Sequence, residues 1–170
     1  MKPAFTKFLS LIIFVLFSFS ISAKTDDFEI IKNRVVVELM KSIIDDGSVE
    51  TIIDKMNENG SFKGIDYIDL SRTAGFPHRR HTSDLVYLAK AYKNKTSKFH
   101  KNKKLKELII KGFKFWVDND YFGDNWHNNQ ISTPTNLVNL MLIVGDELPK
   151  DLVEKCQPII GRAHMNASGA

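Results

Sequence analysis

Residues 102–134 read NKKLKELIIKGFKFWVDNDYFGDNWHNNQISTP, and the first half of that stretch decides the fold class. Leu105, Leu108, Ile109, Phe113 and Trp116 recur at short helical steps, with lysines and Glu107 between them. Such spacing lays one apolar stripe along an α-helix and predicts a helix over about 102–117. Trp116, in register with Phe113, belongs to the core face. Asp118 to Asn129 carries no such period and reads as a polar and aromatic loop. Thr133-Pro134 predicts the start of the next helix, since proline in a first turn gives up an N–H that has no partner there anyway.

The same period extends in both directions. Downstream, Leu137, Leu140, Met141 and Val144 fill one helix face before Gly145, and a sixth, short helix is expected between Pro149 and Gly161. Upstream, Leu85, Leu88, Ala89 and Tyr92 predict a helix over His81–Lys93. Phe28, Ile31, Val35, Leu39 and Ile43 predict a first helix that closes before Gly47. Ser48 is a candidate cap for a short second helix carrying Val49, Ile52, Ile53 and Met56. Asn59-Gly60-Ser61 is a turn signal. Residues 61–77 (SFKGIDYIDLSRTAGFP) read as a loop, hydrophobic enough for part of it to pack against helices. No strand pattern competes. The expected fold is all-α, with helical hairpins stacked as a bundle or as part of an incomplete (α/α) toroid.

Composition sets the outer limits. At 43% hydrophobic and 26% charged, the chain is ordinary globular material rather than a disordered one. Lys2 and Lys7 precede an apolar run from Phe8 to Ile21, and Ser22-Ala23 offers a small-residue cleavage site. Residues 1–23 are therefore expected to be a signal peptide, leaving 24–170 as a secreted or periplasmic chain without stable membrane association. The run is short for a spanning helix. The single Cys156 rules out an intrachain disulfide. The five histidines lie at no ligand spacing with cysteines or carboxylates, so no metal and no cofactor is expected. Arg79 through Lys114 holds many Lys and Arg against only Asp84 and Glu107. That run is either a solvated face or a surface for a polyanion, and export argues against nucleic acid.

Three segments, in order, resemble the N-terminal helical domain of polysaccharide lyase family 8, which holds the chondroitin AC, hyaluronate and xanthan lyases. Asn59-Gly60-Ser61-Phe62 followed by Asp66-Tyr67 is similar to the family's Asp-Gly-Ser-Trp and acidic-Tyr pattern. His81, Leu85, Ala89, Ala91 and Tyr92 are similar to the helix after it. Phe115-Trp116 followed by Asn125-Trp126-His127 and Ile131-Ser132-Thr133-Pro134 is similar to the family's Asn-Trp-Trp and Glu-Ile-Gly/Ala-Thr-Pro run. Two departures stand out: His127 replaces the second tryptophan, and Gln130 replaces the glutamate. The resemblance implies that 24–170 is a partial toroid domain of an enzyme that cleaves uronic-acid polysaccharides such as chondroitin or hyaluronan by β-elimination.

Ala167-Ser168-Gly169-Ala170 resembles the start of the family's Thr-Gly-Ala-Asn segment. The family's catalytic Asn, His, Tyr and Arg match no position here, so no residue is assigned a catalytic role and this chain alone is expected to be inactive.

A substrate-binding role is a separate matter. A pyranose has an apolar C–H face that packs on an aromatic ring, while amides satisfy its hydroxyls. Trp126, His127, Asn125, Asn128 and Asn129 offer that mixture, and the family's tryptophan pair lies in its substrate cleft. On the residues alone, Trp126 reads more readily as a core aromatic anchoring the loop and the asparagines as turn formers. The expected partner is an acidic polysaccharide, bound by a monomer or by an aggregation-prone fragment whose cut edge is apolar. Two other readings remain: a stand-alone secreted module that binds acidic glycans, and an exported helical interaction protein.

Overall fold

The computed structural model describes residues 26–163. The expected signal peptide (1–23) and most of the polar tail, from His164 on, lie outside the described residues. The chain divides into a small unit through Asn33 and a main unit from Arg34. Helix α1 (Asp27–Leu39) runs across the division. Its first turn is capped by Asp26, whose carboxylate accepts the Phe28 N–H at 3.1 Å. Phe28, Ile31, Val35 and Leu39 of the expected stripe lie on the helix, but Ile43 falls beyond its end, and Phe28 and Ile31 stay 65% and 59% exposed. The helix also stops well before Gly47. Lys41 N–H bonds to the Glu38 carbonyl, tightening the last turn, and the chain then extends to Asp45.

In the main unit, α2 (Asp46–Lys55) is capped by Asp45 rather than Ser48. The extended Asp45 accepts the Ser48 N–H at 2.8 Å and the Ser48 hydroxyl at 2.7 Å. A carboxylate three residues ahead reaches the orphan amide that a serine inside the turn cannot. Next come α3 (Gly75–Lys93), α4 (Lys103–Asn119, capped by Asn102), α5 (Thr133–Val144) and α6 (Lys150–Ile160). Helix α3 packs against α2, α4 and α5, and α6 closes on α4 and α5. The fold is all-α, with helical hairpins forming part of an (α/α) toroid. The core gathers Leu85, Leu88, Leu105, Ile109, Phe113, Trp116, Leu137 and Leu140. Cys156 is buried with them, and burial pushes its thiol up to about 12.

Helix α3 begins six residues earlier than its apolar period suggests. A 3₁₀ turn at Arg72–Ala74 leads into it, and Pro77 falls in its first turn, where the missing N–H costs nothing. The extra turn is held by two buried imidazoles, His78 and His81, which a hydropathy count reads as polar. His78 Nε2 donates to the Asp66 carbonyl at 2.8 Å. His81 Nε2 donates to the Gly112 carbonyl of α4 at 3.0 Å, and its Nδ1 accepts the Tyr67 hydroxyl at 2.7 Å. Tyr67 in turn accepts the Phe62 N–H at 2.9 Å. Each link of this buried chain is paired, as its burial requires.

Close approach makes the network possible. A Cβ on Gly112 would lie 2.6 Å from Leu85 Cδ2, and one on Gly60 (φ +94°) would lie 2.5 Å from the Lys111 carbonyl oxygen. The segment 61–71 is thus a loop that packs, with Phe62 and Ile65 in the core. Tyr67 sits 5.0 Å from Phe115 and 4.9 Å from Tyr121, ring centre to ring centre.

Burial pushes the His81 imidazole down to about 4 from an ordinary 6.5. A base whose folded value is depressed binds its proton later than the unfolded chain does, so stability is lost as pH falls from 6.5 toward 4. The full difference is roughly 3 kcal/mol. Asp84, one turn on, works in the opposite sense: burial raises its carboxyl to about 6, which favours the folded state as pH falls through that value. In Asp84→Asn the histidine effect is therefore expected to appear alone, as a steep fall in urea-unfolding free energy between pH 6.5 and 4. Wild type should show a flatter profile. Equal slopes in the two proteins would refute this assignment.

Candidate functional site

The segment after α4 is shorter as a loop, and more ordered, than its composition suggests. Asp120 ends α4 in the left-handed conformation (φ 43°), and helix resumes at Trp126. Asn125 is the cap of this new start. Its Oδ1 accepts the Asn128 N–H at 3.0 Å and its main-chain carbonyl accepts the Asn129 N–H at 3.0 Å. Its Nδ2 donates to the Arg72 carbonyl at 2.8 Å. One carboxamide therefore ties the first turn of the α5 region to the turn that opens α3. The fit demands a glycine opposite, since a Cβ on Gly75 would stand 2.6 Å from the Asn125 Cβ.

Thr133-Pro134 starts the α-helix as expected, with Pro134 in its first turn, but the chain ahead of it is already helical from Trp126. Residues Asn128–Ser132 form a π-turn, closed by the Thr133 N–H bonding five residues back to the Asn128 carbonyl. Pro134 has no N–H to offer the carbonyl four residues back, and widening the turn just ahead of it takes up that misfit. Helix α5 proper then continues to Val144, held to α3 by Asn136 Nδ2 donating to Thr82 Oγ1 at 2.9 Å.

Two helix starts side by side leave a cleft of about 340 Å³ between them. Asn125, Trp126, His127 and Asn128 line it, and so do Arg72, Phe76, Arg79 and Ser132. Trp126 is half-buried and meets His127 edge to face, 5.5 Å between ring centres. His127 is exposed, with its Nδ1 3.1 Å from Ser132 Oγ. Asn128 is buried, yet its Oδ1 has no hydrogen-bond partner among the described residues. Four of the five residues that the sequence nominates thus share one cleft. Asn129 does not: its carboxamide is spent on the loop behind, donating to the Gly123 carbonyl at 2.6 Å and accepting the Gly123 N–H. It braces the wall instead of lining it.

Arg72, Phe76 and Ser132 carry no signal that nominates them from sequence, and Arg79 is set apart only as the start of the basic run. Phe76 is 59% exposed in a stretch that reads as loop, and the Arg79 guanidinium lies over its ring, 5.6 Å from the centre. The run of lysines, by contrast, is met in part by carboxylates from outside it. Lys98 pairs with Glu50 at 2.6 Å, while Lys93 and Lys106 share Glu147 at 2.5 and 3.3 Å, and Lys114 meets Asp118. Lys93 and the Tyr92 hydroxyl hold the Glu147 carboxyl down at about 2. Neither Arg72 nor Arg79 has a carboxylate partner among the described residues, and no carboxylate lines the cleft.

Comparison with known proteins places this arrangement. Residues 26–166 match the model of the polysaccharide lyase family 8 N-terminal alpha-helical domain. The curated chondroitinase-AC of Pedobacter heparinus is 30% identical over 125 residues, covering 73% of this chain and 18% of that protein. A solved chondroitinase AC lyase, studied as enzyme–oligosaccharide complexes, superposes with a TM-score of 0.73 at 29% identity over 80% of this chain and 21% of its own. The chain spans about a fifth of the length of these relatives.

Gly75→Ala is expected to drive Asn125 off its partners, destabilising the protein by roughly 1–3 kcal/mol and making Trp126 more accessible to iodide quenching. Gly47→Ala, where the added carbon meets its neighbour at an ordinary 3.5 Å, serves as the control and should leave both readings alone. Matching denaturation midpoints for the two variants would show that the clamp does not matter.

Proposed function

The chain belongs to polysaccharide lyase family 8, whose N-terminal helical domain it carries, and from that premise we propose that it is a portion of a secreted lyase acting on an acidic polysaccharide. In this reading the cleft at Trp126 holds part of the substrate and the chain by itself performs no elimination. The supporting observation is the half-buried indole at the mouth of a cleft whose other walls are carboxamides and guanidinium groups. A core aromatic would be sealed; this one offers a face to a sugar ring while Asn125 and Asn128 stand beside it. The relatives' link to chondroitin supports the substrate class.

β-Elimination asks for three things: removal of the proton beside a carboxylate, neutralisation of that carboxylate, and a proton for the leaving oxygen. The titratable groups perturbed here by burial or by a hydrogen bond to a carboxylate are consumed by structure. Tyr67 and His81 hold each other inside the core, and Tyr92 bonds to Glu147 at 2.6 Å on another face. None of them lines the cleft. In this reading the cleft binds and orients the polysaccharide, and no residue that lines it is assigned a proton transfer.

Calorimetry of the full chain against hyaluronan, chondroitin sulfate and xanthan fragments is the test, alongside the ultraviolet absorbance of unsaturated uronate. Binding without turnover is expected. Trp126→Ala should weaken binding by about tenfold, the loss of one stacked ring. No heat with any acidic glycan would remove the binding claim, and a rise in absorbance with the unmodified chain would remove the claim of inactivity.

A further inference from the structure

In an ordinary α-helix the side chains that meet on one face are three or four residues apart. His127 and Ser132 are five apart, and they meet because the π-turn at Asn128–Ser132 makes the fifth residue the neighbour one turn on. The contact joins the residue that stands where the family usually has a second tryptophan to a serine with no other hydrogen-bond partner among the described residues. A serine hydroxyl can donate to a ring nitrogen or accept from it, and the hydrogen bond at one ring nitrogen sets the protonation of the other. With the Ser132 hydroxyl donating, the imidazole is the Nε2–H tautomer, and its Nε2 has no hydrogen-bond partner among the described residues.

The rest of the cleft says what such a donor would meet. Arg72 and Arg79 line it without ion partners among the described residues, and no Asp or Glu does. Arg79 is steadied over Phe76 and so presents its fork in a restricted set of poses. Donors of one sign converge on an acceptor, and guanidinium groups favour one that is charged and planar or tetrahedral. The buried, unpartnered Asn128 Oδ1 is the complementary acceptor for a ring hydroxyl, which an unliganded cleft leaves unsatisfied at a cost.

We propose that Ser132 is a positioning residue that aims His127 Nε2–H at an anionic oxygen of the bound sugar, a uronate carboxylate or a sulfate ester, beside Arg72 and Arg79. The inference rests on the sugar-binding reading of the cleft. It turns the missing tryptophan from a lost stacking surface into a gained reader of charge.

The test uses the full chain in four forms: wild type, Ser132→Ala, His127→Phe and Trp126→Ala. Long-range ¹H–¹⁵N spectra report the His127 tautomer. Calorimetry uses chondroitin sulfate, hyaluronan and carboxyl-reduced, desulfated chondroitin oligosaccharides of one length. Wild type should show a single Nε2–H tautomer, and Ser132→Ala a mixture. Ser132→Ala should weaken the charged oligosaccharides by about threefold and His127→Phe by about tenfold, with the neutral one unchanged in both. Loss with sulfated chondroitin alone identifies the ester as the anion, and loss with hyaluronan as well identifies the carboxylate.

If Trp126→Ala abolishes binding while the Ser132 and His127 variants keep the preference for charge, the proposal is overturned and the sugar cleft stands. Inorganic sulfate separates the remaining cases. A His127 shift with sulfate that vanishes in Ser132→Ala, with no oligosaccharide bound, keeps the charge reader and removes the glycan reading. Silence toward both removes both.

Discussion

The cleft exists because one carboxamide joins two helix starts. Asn125 accepts the Asn128 N–H, donates to the Arg72 carbonyl, and lies where any side chain on residue 75 would be. Each helix begins with orphan N–H groups and a partial positive charge, and the clamp brings two such ends together instead of apart. That placement needs an anchor elsewhere, and the buried run from Phe62 through Tyr67 and His81 to Gly112 provides it. Helix α3 carries both devices, with its first turn in the cleft and its second locked to α4.

Much of this fold is legible in the order of the residues, and the remainder is hidden for identifiable reasons. Helix α4 follows its apolar stripe because nothing in it competes with a 3.6-residue period. Asn102 caps it as its type suggests. The start of α3 escapes a hydropathy reading because its inward face is made of His78 and His81, polar in character and buried by pairing. Ser48 has the chemistry of a cap, but Asp45 lies three residues ahead with a stronger acceptor. Pro134 marks the first turn of α5 correctly, while the widened helical turn ahead of it has no signature in apolar spacing.

The site divides in the same way. Asn125, Trp126, His127 and Asn128 share the cleft and are neighbours in sequence, so a local motif suffices to find them. Arg72, Phe76 and Arg79 come from some fifty residues upstream, and only the packing of α3 brings them across. Asn129 belongs to the motif but faces the opposite way, since adjacent residues on a helix point about 100° apart. Charge misleads for a related reason. The lysine-rich stretch looks one-signed along the chain, whereas Glu50 and Glu147 reach it from other elements and Asp118 from the end of its own helix. Of the two arginines that line the cleft, Arg79 opens that basic run and Arg72 lies outside it.

The π-turn has a geometric consequence for the lineage of this domain. It holds one more residue than an α-helical path of equal length, so the five positions Asn128–Ser132 act as a phase shifter between the cleft and the core. On the core side, Leu137, Leu140 and Val144 keep their contacts whatever happens upstream. On the cleft side, removal of a single residue would swing the indole by about 100° around the helix axis, away from the groove and toward the wall. The length of this short segment, more than its lettering, decides which way the Trp126 ring looks.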